Sequence, residues 1–179
     1  QMKKKIALIF GVSGQDGAYL ANFLIKKNYL VIGVTRNPTN SNLFRLNMLN
    51  IKKQIKIFKN DKINFNFLKK IYHKYHMIDE IYFLSGVSSP RKSLEIPIQT
   101  FNSNTINLLK LLEFLKKTKN KSKLFYASSS EIFKKNKKNI FNEKSELGAT
   151  SPYAISKVAG TLLVKNYREQ YNLFSCSGI

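Results

Sequence analysis

Six short apolar runs punctuate the chain, and between several of them apolar residues recur every three or four positions. "KKIALIF", "LVIGV", "IKIF", "EIYFL", "KLFYAS" and "LFSCSG" read as buried strands. "AYLANFLIKKNY", "NFLKKIYHKY", "TINLLKLLEFLKK" and "YAISKVAGTLLVKNYREQY" read as amphipathic helices. Strands alternating with helices predict a parallel sheet covered on both faces, a doubly wound α/β domain. The segment from Lys134 to Thr150 is polar with little periodicity, which predicts a long exposed loop between the fifth strand and the last helix.

Size and composition suit one such domain, spanning residues 1–179: 43% of the residues are hydrophobic, enough to build a core at this length. No apolar run approaches the ~20 residues that cross a bilayer, and the N-terminal stretch has no signal-peptide pattern, so the expectation is a cytoplasmic protein with no membrane partner. Cys176 is the only cysteine, which excludes an internal disulfide; its apolar surroundings, "LFSCSGI", predict a buried bystander. His73 and His76 have no Cys, Asp or Glu nearby at metal-ligand spacing, so no metal is expected.

The net charge of +21 raises the question of nucleic acid. Lysine is spread along the whole chain, however, and arginine occurs only at 36, 45, 91 and 168. That pattern is a solvated surface rather than a binding face, and no nucleic-acid partner is expected.

Gly11, Gly14 and Gly17 follow the first strand and open the first helix. Glycines there let the backbone turn tightly and approach a pyrophosphate resting on the free amides of a helix N-terminus. The second strand ends in "GVTRNP", without the acidic residue that holds a ribose hydroxyl of NAD. Arg36 suits a 2′-phosphate, and the expected cofactor is NADP.

Two further stretches carry chemistry. "YASSSEIF" ends the fifth strand, where a doubly wound sheet opens onto its ligand crevice, and offers the hydroxyls of Ser129 and Ser130 and the carboxylate of Glu131. In "SPYAISK", Ser151 is a good N-cap and Pro152 suits a first helical turn, so Tyr153 and Lys157 fall on one face of a helix. A cation beside the phenol and a nearby helix N-terminus both favour the phenolate, which makes Tyr153 a candidate acid/base.

With "GVSGQDGAYLANFL", "YASSSEIF", "SPYAISKVAG" and "VKNYREQYNLFSCSGI" in this order, the chain resembles the extended short-chain dehydrogenase/reductases, and among them the GDP-mannose 4,6-dehydratase family. The resemblance implies an NADP-dependent lyase that turns GDP-mannose into its 4-keto-6-deoxy product. It places Ser129, Glu131, Tyr153 and Lys157 in the catalytic machinery. Gln15, Asp16, Asp61, Leu84, Tyr153 and Lys157 would join the glycines and Arg36 around the cofactor, with Asp61 at the adenine and Lys157 on the nicotinamide ribose, and Ser88 and Ser130 would contact substrate. It further implies a homo-oligomer and a continuation past Ile179 into a domain that binds the nucleotide-sugar. The chain departs from the family pattern at Phe133 and Lys134 after the glutamate, at Val87 before Ser88, and at Asn107, where a small glycine is expected. A sister epimerase or 4-reductase would keep Tyr153 and Lys157 without needing Glu131 as a base. A non-catalytic nucleic-acid-binding or dinucleotide-sensing module would leave the pair without purpose.

Overall fold

In the computed structural model, which describes residues 4–134 and 140–179, the six apolar runs form one parallel sheet. Its strands are β1 (Ile6–Phe10), β2 (Leu30–Thr35), β3 (Ile55–Lys59), β4 (Glu80–Phe83), β5 (Lys123–Ala127) and β6 (Ser175–Gly178). They lie in the order β3-β2-β1-β4-β5-β6. Because β1 pairs with β2 on one side and β4 on the other, the winding direction reverses beside it, and a crevice opens beyond the carboxyl ends of these strands.

Alternate residues of each strand enter two separate cores. Leu8, Phe10, Ile32, Ile81, Phe83 and Tyr126 face α3 (Phe65–Tyr75), α6 (Asn107–Lys117) and α7 (Pro152–Tyr171). On the other face, Ala7, Ile9, Val31 and Ile55 pack against α1 (Gln15–Lys26) and α2 (Phe44–Met48). The expected cover is thus broad on the first face, whereas on the second α1 and α2 reach only β1, β2, β3 and part of β4. Cys176 shows the consequence. It lies opposite Phe125 on the thinly covered face and is exposed, not buried as its neighbours in the sequence suggested.

Local chemistry sets the helix ends. Asn64 Oδ1 accepts from the Phe67 amide at 2.9 Å at the start of α3, and Ser151 Oγ accepts from the Ala154 amide at 3.1 Å, with Pro152 in the first turn of α7. The apolar period did not signal α2, α4 (Pro90–Glu95) or α5 (Pro97–Phe101), which are too short to display one. α5 runs through a π-helical turn, Asn102–Ile106, directly into α6. The wider turn buries both Asn104 and Thr105.

Residues 135–139 of the expected loop lie outside the described residues. The described remainder is largely exposed but pinned: Phe133 bridges Leu147 in antiparallel fashion, the Lys134 ammonium meets the Glu146 carboxylate at 3.0 Å, and the rings of Phe133 and Phe141 stack with centroids 5.4 Å apart.

Candidate functional site

The turn between β1 and α1 is as tight as its glycines suggest. Gly11 sits at φ +89°, donates to Val34 O at 2.9 Å and accepts from the Gly14 amide at 2.9 Å. A side chain at 17 would collide with the carbonyl of Gly11, so α1 can approach β1 only with glycine there. Gly14 occupies the N-cap without a side-chain cap, which leaves the first amides of α1 to an outside acceptor.

A cavity of 410 Å³ opens over this turn, lined by Gly11, Gly14, Gln15, Asp16 and Gly17. Arg36, Asp61, Leu84 and Ser88 complete its walls among the residues singled out by sequence. A second cavity, of 1050 Å³, continues from it past Arg36, Asp61 and Asn107 to Lys62 and Lys110. Residues 13, 35, 36, 61, 103 and 107 line both, so the two form one cleft. Thr35 ends β2 and is linked to Ser13 by a 2.9 Å hydroxyl pair, with Arg36 exposed just beyond.

Tyr153 and Lys157 share one face of α7, and both are buried to within 7% of full exclusion. The Lys157 ammonium donates to Ala127 O at 2.7 Å and lies 5.9 Å from the centroid of the Tyr153 ring. Burial pulls the Lys157 pKa down to about 8. Below it is the ring of Tyr126, 5.0 Å away at its centroid. The Tyr126 hydroxyl is buried without a hydrogen-bond partner, and burial foremost, with Tyr153 second, pushes its pKa up.

Ser129 caps a short 3₁₀ turn, Ser130–Ile132, accepting from the Glu131 amide at 3.2 Å. Ser130 and Glu131 are exposed in that turn, and α7 packs on it. A 2.7 Å hydroxyl pair between Ser128 and Thr161 ties the end of β5 to the helix. The structure therefore brings hydroxyl, carboxylate, phenol and ammonium to one end of the sheet. None of Ser129, Ser130, Glu131, Tyr153 or Lys157 lines the two cavities.

Sequence reasoning missed the residue that joins these parts. Asn104 is fully buried in the π-helical turn. Its amide group exchanges two hydrogen bonds with the backbone of Val87, at 2.8 and 3.0 Å, and donates to Ser156 Oγ at 3.0 Å. Thr105 adds a bond to Ser156 O at 3.0 Å. The loop carrying Ser88 is thereby fastened to α7 one turn from Tyr153. Gly86, at φ +144°, leaves room for Asn104 where a side chain would strike it. The signal in the sequence is slight, because Asn104 lies in a largely polar run, Gln99 to Thr105, in which Thr100 and Thr105 also turn inward.

With this geometry in hand, comparison with known proteins places the chain. The family model described as GDP-mannose 4,6 dehydratase matches residues 8–179. The chain belongs to the GDP-mannose 4,6-dehydratase family. A GDP-mannose 4,6 dehydratase of Drosophila melanogaster is 34% identical over 99% of this chain and 47% of its own length. A GDP-mannose 4,6 dehydratase 2 of Arabidopsis thaliana is 36% identical over 98% of this chain and 49% of its own. The chain spans about half the length of the curated relatives it matches. Among solved structures, a dTDP-glucose 4,6-dehydratase from Bacillus anthracis in complex with NAD superposes with a TM-score of 0.80 at 22% identity, covering 97% of this chain and 53% of that one. A UDP-glucose 4-epimerase from Thermotoga maritima, with UDP-glucose, gives 0.81 at 20% identity, covering 96% and 54%. These structures share the fold.

Proposed function

We propose that residues 1–179 form the NADP-binding domain of a GDP-mannose 4,6-dehydratase, and that Tyr153, Lys157, Ser129 and Glu131 carry its chemistry. The observation that carries this reading is the buried Tyr153–Lys157 pair held against the end of β5, at the same end of the sheet as the glycine-lined cleft. The cleft suits a dinucleotide. Bare backbone at Gly14 and uncapped amides of α1 match a pyrophosphate, and a side-chain oxygen of Asn60 in the wall is buried without a partner. Gly11, Gly14 and Gly17 would hold the pyrophosphate, with Gln15, Asp16 and Leu84 beside it, Arg36 at the 2′-phosphate and Asp61 at the adenine. Arg36 in place of an acidic residue favours NADP over NAD.

The nicotinamide, when bound, would accept a hydride from C4 of the hexose and return it at C6. Tyr153 as phenolate takes the proton of the C4 hydroxyl, and Ser129 shares that hydrogen bond. Lys157 stabilises the phenolate as a near cation. The C4 ketone acidifies the proton on C5, which Glu131 removes and then passes to the C6 hydroxyl so that it leaves as water; C5 regains a proton from solvent as the hydride returns to C6. Ser88 and Ser130 contact the sugar nucleotide. The working enzyme is a cytoplasmic homo-oligomer in this reading, with the sugar nucleotide as its partner.

Fluorescence titration of the chain with NADPH tests the cofactor half, and product analysis of the whole enzyme on GDP-mannose tests the reaction. No NADPH binding, or an epimer in place of the 4-keto-6-deoxy product, would overturn the reading.

A further inference from the structure

Asn107 stands in the first turn of α6, and its side chain reaches the backbone that follows β3. Its Nδ2 donates to the carbonyl of Asp61 at 3.2 Å, and its Oδ1 accepts from the amide of Ile63 at 3.2 Å. Two bonds of opposite sense to alternate backbone groups form a clamp, because the segment can neither slide nor rotate without breaking one of them. The clamped piece, residues 61–63, is the start of the β3–α3 connection. Nothing else of α6 bonds to it among the described hydrogen bonds.

Position decides what the clamp is for. The cleft reverses beside β1, where the glycine turn lies, so a dinucleotide with its pyrophosphate there extends one half over β2 and β3 and the other over β4 and β5. Arg36 at the end of β2 and Asp61 after β3 both belong to the first half. Asp61 itself is exposed and in a bend, and among the described residues its carboxylate makes no hydrogen bond or ion pair that would fix it in the wall. Asn107 lines both cavities at the place where they meet. A glycine at 107, as in the family pattern, could make neither bond.

We infer that Asn107 is a positioning residue for the adenosine half of the cofactor, acting through the backbone at Asp61 and Ile63. This rests on the dinucleotide reading of the cleft.

The test splits the cofactor. Asn107→Ala keeps a good helix former in α6 and removes only the clamp. Loss of one or two net hydrogen bonds corresponds to about tenfold in affinity. NADPH and adenosine 2′,5′-bisphosphate should therefore bind the variant about tenfold more weakly, while reduced nicotinamide mononucleotide binds as before. Equal losses for both fragments, or no loss for the bisphosphate, overturns the inference, since a general structural role would not choose between the halves. If the unaltered chain binds neither NADPH nor the bisphosphate, the dinucleotide reading falls and this one with it. Amide exchange in the unaltered chain is independent of the variant: the Ile63 amide should be protected and become more so with the bisphosphate, and unchanged exchange on binding counts against the clamp.

Discussion

The ammonium of Lys157 donates to the carbonyl of Ala127 at 2.7 Å, joining the second turn of α7 to the last residue of β5. That bond carries a buried cation, and the cation has a cost that depends on pH. Burial lowers the Lys157 pKa from 10.5 to about 8. Between these values the unfolded chain holds a proton that the folded one has released, so stability rises with pH through the window; below about pH 8 the full penalty applies. Relative to Lys157→Met, the unaltered chain should gain about 3 kcal/mol between pH ~8 and ~10.5. Urea unfolding of both across that range measures it, and parallel curves would show that the lysine is not desolvated.

Arg36→Ala should weaken NADPH binding by about 1.5 to 3 kcal/mol, roughly tenfold to a hundredfold, the worth of a charge-assisted contact. NADH, which has no 2′-phosphate, should bind equally well to both forms. Fluorescence titration with each nucleotide decides it.

In the whole enzyme, Glu131→Gln and Tyr153→Phe should stop the reaction at different points. Without Glu131 the C4 oxidation still proceeds, so absorbance of the reduced nicotinamide builds up while solvent deuterium fails to enter product; the blocked step slows by about 10² to 10⁴. Without the Tyr153 hydroxyl no such absorbance develops. Near-normal turnover of the Glu131→Gln form would reduce that residue to the end of a turn.

Asn104→Ala should cost about 2 to 4 kcal/mol, because the Val87 carbonyl loses its amide donor, the Val87 amide keeps only a long contact to Ser103 Oγ, and the buried Ser156 hydroxyl keeps only its bond to the Tyr153 carbonyl. A drop in the denaturation midpoint with unchanged slope is the expected observation.

Tyr126→Phe should leave stability unchanged or raise it by about 1 kcal/mol, since the hydroxyl removed is buried and unpaired. Gly160→Ala should destabilise by about 1 to 3 kcal/mol, because its methyl meets the Tyr126 hydroxyl and ring. Combining them should recover part of that loss, and thermal unfolding of the three variants would show it.

Much of this molecule is written locally. The six strands are apolar runs, the glycines at 11, 14 and 17 mark a turn that only small residues permit, and Ser151 with Pro152 sets the phase that puts Tyr153 and Lys157 on one face. Each depends on neighbours within a turn or two, so periodicity and residue type suffice. What the sequence could not decide are pairings across long separations. Asn104 with Val87 and Ser156, Asn107 with Asp61 and Ile63, and Lys157 with Ala127 join residues 17 to 52 positions apart. Amide and hydroxyl side chains look alike in a sequence whether they meet water or a buried backbone group, and only the packing of α6 and α7 on the sheet selects between the two. Cys176 errs for the same reason: the apolar pattern of β6 records that it is a strand, but which of its faces carries a helix is a property of the assembled sheet.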